Sequence, residues 1–322
     1  MESIYGSRGR VSRAEYDRIS EAYAAARFGP DATVGQMREA FAAGAAPAPA
    51  GVACERVELG GRPALQLTAA ARDGHPAGGA LLYLHGGGFV IGSAETGAGV
   101  AGALAARTGA TAYSLDYRLA PEDPFPAAVD DTLAAYRDLL DRAPADRIVV
   151  AGDSAGGGLA IAMLLAARDA GMPVPAGVAV FSPWVDLTLS GPSIESRDGD
   201  DPLFTPADLT WYAERYLPGP DRDVRARAPL ASPALADLTG LPPMLVQVGG
   251  RELLLDDAVR LAARAAHDGV DIVLEVEAGA PHNVQTSVGS SPAAEVLLDR
   301  AGAFLATTLG DLTRAEVQAF VR

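Results

Sequence analysis

Three stretches of the chain carry residue types whose spacing suits acyl transfer. Gly152-Asp153-Ser154-Ala155-Gly156 fits the pattern G-x-S-x-G. The apolar run Arg147–Ala151 precedes it and the alanine-rich stretch Ala155–Ala170 follows. That order predicts a strand, a sharp turn and a helix, with the Ser154 hydroxyl held out above a sheet as a nucleophile. The small residues flanking the serine let strand and helix approach, and the helix start directs its positive end at the site. The run does not fit G-x-G-x-x-G, and no lysine follows to make a phosphate-binding loop. Upstream, His85-Gly86-Gly87-Gly88-Phe89 leaves backbone N–H groups uncovered after the apolar run Ala80–Leu84. Such donors can hold the oxygen that becomes negative in acyl transfer. Gly87 and Gly88 are assigned that role, with Ala155 N–H as a third donor.

The base follows by elimination among four histidines. His75 lies in a polar loop, His85 is placed to brace the glycine turn, and His267 ends an Ala/Arg-rich helix. His282 follows the last apolar run in a Gly-Ala-Pro loop, after the serine in chain order. The acid that orients it should lie between the two, just after a strand. Glu252 directly follows Met244–Val248 and its Gly249-Gly250 exit, whereas Asp256 and Asp257 stand where acids usually cap or open a helix. Glu252 is the expected acid and Asp256 the alternative. The acid's task is to accept the imidazole N–H and stabilise imidazolium.

These residues need a scaffold, and the chain's rhythm supplies one. A helical stretch is predicted over 13–43, then an Ala/Pro connector over 42–51. A hairpin is predicted from 54–59 and 63–69 around Gly60-Gly61. Short apolar runs at 80–84, 110–115, 147–151, 177–181, 244–248 and 272–276 alternate with helical patterns at 98–107, 127–142, 155–170, 256–267 and 292–309. Near-continuous apolar strands alternating with helices imply an α/β fold with a mostly parallel sheet covered on both faces. The rhythm breaks between Val185 and Leu230, where Pro206–Leu217 is the one amphipathic candidate. An insertion there would sit at the carboxyl edge of the sheet, where ligands bind. Thr313-x-x-Glu316 predicts a last short helix.

Composition narrows the chemistry further. The 322 residues carry 26 basic and 41 acidic side chains, a net charge of −15. Every one of those cations is arginine, which excludes Schiff-base chemistry and a Ser–Lys dyad. The acidic balance argues against nucleic acid or an anionic membrane as partner. The one cysteine, Cys54, excludes an internal disulfide and a cysteine zinc knuckle. The first residues lack an apolar signal core, and no apolar run is long enough to span a bilayer, so a cytoplasmic protein is expected.

With those residues in place, the chain resembles the bacterial hormone-sensitive-lipase-like esterases (family IV) of the α/β-hydrolase superfamily over roughly residues 50–310. His85–Phe89 is similar to that family's oxyanion motif and Gly152–Gly157 to its nucleophile elbow. Asp116-Tyr117-Arg118-Leu119-Ala120-Pro121-Glu122, with Phe125-Pro126-Ala127-Ala128, resembles its segment between those two. Phe181-Ser182-Pro183-Trp184 resembles its strand exit before a cap insertion. The resemblance implies a carboxylic ester hydrolase acting on short- to medium-chain or small-molecule esters, with no cofactor and no metal. It implies one α/β-hydrolase domain whose cap is built from about 1–45 and 185–225 over a core of about 50–184 and 230–310. It also implies possible homodimers through the last strand.

The expected mechanism is hydrolysis through an acyl-enzyme by Ser154, His282 and Glu252. Phe89, Trp184, Trp211 and Tyr212 are candidates to line the substrate pocket. The same triad serves acyl transfer, lactone opening or cyclisation, because a fold does not fix chemistry. A non-catalytic small-molecule receptor is disfavoured because all three triad residues are present. Two departures from the family stand out. Glu252 replaces the usual aspartate. Val284 stands where an aromatic often follows the histidine, which predicts a larger or wetter pocket on that side and a bulkier substrate.

Overall fold

The computed structural model describes residues 11–29, 31–70 and 78–310. His75 and the helix expected after Thr313 lie outside them.

An N-terminal pair of helices comes first, α1 (Arg13–Ala26) and α2 (Val34–Gly44). The single helical stretch expected over 13–43 is thus two. Gly29-Pro30 interrupts it in the sequence, and proline cannot donate to a helix interior. Thr33 then restarts the chain: its hydroxyl accepts from Gln36 N while the Gln36 side chain accepts from Thr33 N, a capping box.

Eight strands follow in one sheet: β1 (Val52–Leu59), β2 (Arg62–Ala69), β3 (Ala80–Leu84), β4 (Thr111–Leu115), β5 (Ile148–Asp153), β6 (Gly177–Phe181), β7 (Met244–Gly249) and β8 (Ile272–Glu277). Their spatial order is β1-β2-β4-β3-β5-β6-β7-β8. The β1–β2 hairpin and the β2–β4 pair are antiparallel, and every later pair is parallel.

Helices α3 (Ala98–Thr108), α4 (Ala127–Arg142), α5 (Ala155–Asp169), α6 (Ser193–Ser196), α7 (Pro206–Tyr216), α8 (Arg222–Arg225), α9 (Leu255–His267) and α10 (Pro292–Thr308) flank the sheet or lie in its connections among the described residues. Strand side chains alternate between two layers, as a period of two requires. Leu82 and Leu84 of β3, with Val150 of β5, join the core that holds α4, α5 and α9. Leu81, Tyr83, Val149 and Ala151 join the core that holds α3 and α10. All residues of β3, β5, β6 and β7 are buried. That double burial explains why these strands read as near-continuous apolar runs. The interval that broke the rhythm holds α6, α7 and α8, beyond the carboxyl ends of the central strands.

Candidate active site

Ser154 stands between β5 and α5 with φ 51° and ψ −121°, a conformation a serine adopts only when its surroundings enforce it. Its N–H donates to Phe181 O at 2.8 Å, and its carbonyl accepts from Trp184 N at 2.9 Å and Gly158 N at 3.0 Å. The glycines at this bend are required by space. A Cβ on Gly152 would lie 2.5 Å from Gly156 O, and one on Gly156 would lie 2.1 Å from Leu84 O.

The chain beyond β7 and the chain beyond β8 meet next to this turn. A Cβ on Gly249 would lie 2.5 Å from Ala280 O, and one on Gly250 would lie 2.7 Å from Ala278 O. Bare backbone lets the two loops touch, and Arg251 N donates to Ala280 O at 3.1 Å. Glu252 is thereby delivered to His282: Nδ1 of the imidazole lies 2.8 Å from Glu252 Oε2. The carboxylate is fully buried and the ring is 1% exposed. Nδ1–H faces a carboxylate, so that nitrogen carries the proton and Nε2 keeps its lone pair. Burial opposes a charged ring, but Glu252, with Asp201 and Asp153 further off, holds the His282 pKa above the ordinary histidine value. Nε2 is buried and has no partner among the described residues, and no hydrogen bond joins it to Ser154 Oγ.

The alternative acid is turned elsewhere. Asp256 Oδ2 accepts from Ser193 N at 2.6 Å, beside α6. Asp257 Oδ2 accepts from Val185 N and Asp186 N. The other described histidines also keep to their expected places. His85 is buried, its Nδ1 bonded to Gly86 O at 2.7 Å and its ring stacked on Tyr117 at 4.3 Å. Burial lowers its pKa to about 4, so it is neutral. His267 is exposed at the end of α9.

In the glycine turn, Gly87, Gly88 and Phe89 all have positive φ. Gly87 O accepts from Val90 N and Ile91 N, which fixes the turn. The N–H groups of Gly87, Gly88 and Ala155 have no acceptor among the described residues. They are free to bind an oxygen. Among the described residues, no three of His, Cys, Asp and Glu gather as a metal site.

Aromatic rings gather on the same side. Phe89 stacks on Tyr216 at 3.9 Å, and Trp184 lies 5.9 Å from Phe89. Tyr212 packs so closely on Gly88 that a Cβ there would sit 2.4 Å from its Cδ1. Trp211 differs from the other three expected aromatics: it is half-buried, with the Arg215 guanidinium 3.4 Å from its ring centre. Two rings escaped the sequence reading. Phe204 meets the His282 ring edge-on at 5.2 Å, and Tyr216 backs Phe89. Tyr212 and Tyr216 are four residues apart on α7, so their shared face was a usable signal. No pattern marked Phe204, which enters from the insertion.

The space beside Val284 is filled. Val284 is 2% exposed and packs with Val11, Ile19 and Leu297, against Tyr16 and Tyr23 of α1. On the side where a larger or wetter pocket is expected, Tyr16 and Tyr23 of the N-terminal helix pack against the cluster that holds Val284.

Residues 81–286 match a family model described as the alpha/beta hydrolase fold. The chain is similar to an acetyl-hydrolase of Streptomyces hygroscopicus, 46% identical over 72% of this chain and 76% of that protein. It is similar to an ethyl acetate hydrolase of Pseudomonas putida, 35% identical over 64% of this chain and 66% of that protein. Among solved structures, an esterase from the bacterial hormone-sensitive lipase family superposes with a TM-score of 0.87 at 41% identity, covering 93% of this chain and 99% of that one. Sequence order, fold and likeness agree, and the chain belongs to the α/β-hydrolase-fold family, among its bacterial hormone-sensitive-lipase-like esterases.

Proposed function

We propose that the protein hydrolyses small carboxylic esters with short acyl groups, with Ser154 as nucleophile, His282 as base and Glu252 as the orienting acid. The observation that carries this is the buried His282–Glu252 pair at 2.8 Å, which leaves the Nε2 lone pair of His282 free. Ser154 Oγ attacks the ester carbonyl as Nε2 takes its proton. The N–H groups of Gly87, Gly88 and Ala155 hold the oxyanion. His282 then protonates the leaving alcohol, and water repeats the sequence on the acyl-enzyme.

The substrate class rests on the ring-lined surroundings and on the relatives. Phe89, Trp184 and Tyr212 are nearly closed to solvent, so the acyl side suits a small apolar group. The acetyl-hydrolase and ethyl acetate hydrolase names of the relatives point the same way. The N-terminal helices and residues of about 185–225 act as a cap. Tyr23 OH of α1 donates to His282 O at 2.8 Å, and Phe204 and Tyr212 of the insertion pack against His282 and Gly88.

The same reading makes the protein cytoplasmic, without nucleic acid as a partner, and a homodimer. No described helix is long and apolar enough to cross a membrane. The strand β8, last in the order of the described sheet, exposes Val273 and Val276, each 46% accessible. Sedimentation of the purified chain tests the dimer. Turnover of p-nitrophenyl acetate, butyrate and octanoate by wild type and Ser154→Ala tests the activity. The expected result is a serine-dependent rate that falls from acetate to octanoate. A rate unaffected by Ser154→Ala would overturn it.

A further inference from the structure

That mechanism gives no task to a carboxylate buried right beside the nucleophile. Asp153, immediately before Ser154, is 5% exposed. Its Oδ1 accepts from Tyr83 OH at 2.6 Å and from Gly86 N at 2.9 Å. Its Oδ2 accepts from Asn283 Nδ2 at 2.8 Å. The three donors come from three parts of the fold. Tyr83 belongs to β3, Gly86 opens the turn that presents Gly87 and Gly88, and Asn283 is the next residue after His282. One carboxylate therefore touches the nucleophile bend, the oxyanion turn and the loop of the base.

Asn283 is built for its end of this bridge. It holds a left-handed backbone, φ 50° and ψ 44°, which asparagine tolerates better than most side chains. Its N–H donates to Ser182 Oγ at 3.1 Å. Its Oδ1 is buried without a partner, so the hydrogen bond to Asp153 is the one its side chain makes among the described residues. Hydrogen bonds to an ionised group are the strong kind, and this one is sealed from water.

We propose that Asp153 and Asn283 are positioning residues whose amide–carboxylate bridge sets the place of the His282 imidazole relative to Ser154 and the oxyanion turn. The inference rests on the assignment of Ser154 and His282 as nucleophile and base. Neither bridging residue touches substrate; they act through the groups beside them. Three carboxylates face the imidazole, Glu252 after β7, Asp201 from the insertion and Asp153 from the bend. Exchanging the bridge partners keeps that number at three while reversing which side donates.

The test uses the full chain and p-nitrophenyl acetate, with wild type, Ser154→Ala, Asn283→Asp, Asn283→Gly and the exchange double variant D153N/N283D. Thermal unfolding is recorded for each. Asn283→Asp sets two carboxylates against each other and should lower kcat about 100-fold, the scale of a misplacement of roughly 1 Å, with KM within about threefold. Asn283→Gly keeps the backbone but drops the amide, and should lose about tenfold or more in kcat at a normal melting temperature. The exchange should recover at least about tenfold of the Asn283→Asp loss, which a merely packed residue would not show. Asn283→Gly within about twofold of wild type, or an exchange variant no better than Asn283→Asp, would overturn the proposal. If Asn283→Asp fails to fold, the glycine variant still decides. Equal rates for wild type and Ser154→Ala would instead refute the esterase assignment.

Discussion

Replacing Glu252 by glutamine removes one charge from a sealed pair and changes little in volume. The carboxylate accepts from His282 Nδ1 at 2.8 Å and from Gly249 N at 3.3 Å, with the Ser182 hydroxyl also beside it. A glutamine has one oxygen, so either orientation points its NH₂ at a donor. The larger loss is electrostatic. In the proposed mechanism an imidazolium forms in the transition state beside this group, and two unit charges about 4 Å apart at an effective dielectric of about 20 interact by about 4 kcal/mol. At about 1.4 kcal/mol per tenfold, kcat should fall roughly 10³-fold. KM should hardly move, because Glu252 is fully buried behind the imidazole. The pH profile carries a second signature. The base works when neutral, and Glu252 holds its pKa up against burial. Without that charge, burial prevails and the acid limb of kcat/KM should shift to lower pH. The assay is steady-state hydrolysis of p-nitrophenyl acetate across pH, with Asp256→Asn in parallel. Asp256 serves Ser193 N, so its amide variant should stay within a few-fold of wild type. A Glu252→Gln enzyme within tenfold of wild type, or an equally large loss in Asp256→Asn, would refute the assignment.

Gly88→Ala should cost about 10²–10³ in kcat, the value of a misaligned oxyanion donor. The new Cβ would lie 2.4 Å from Tyr212 at a φ of +60°, so the turn must move; unchanged kcat would remove Gly88 N–H from the mechanism. Burial, with Asp186 beside it, pushes the Asp257 carboxyl well above the usual range, and its Oδ1 has no partner. An acid whose folded pKa is raised costs stability as pH climbs from the unfolded value toward the folded one. Asp257→Asn removes that cost, so its melting temperature relative to wild type should be higher at pH 8.5 than at pH 5.5. A gap independent of pH would show that Asp257 is not held protonated.

Much of the site was legible because its residues are tied to local geometry. The nucleophile bend and the glycine turn need small residues at fixed offsets from a strand end, and those offsets are visible along the chain. β3, α4 and β6 fall on their predicted bounds because double burial makes apolar runs continuous and the helix carries a 3.6-residue stripe. Glu252 was preferred over Asp256 from its position after a strand, and the paired glycines before it turned out to be what lets its loop touch that of His282.

Sequence alone, then, determined the local devices: a serine on a tight bend, free amides after a strand, and an acid and a histidine each just beyond a strand. It could not foretell which side chains from remote segments would close around them, because such contacts depend on distances between elements and leave no spacing signal. Phe204 against His282, Tyr23 on the His282 carbonyl, α1 filling the space beside Val284, and Asp153 joining Tyr83, Gly86 and Asn283 are all of this kind. Each spans at least 67 residues of chain between its partners, as the Gly86–Asp153 bond does, and only the folded packing brings them within reach.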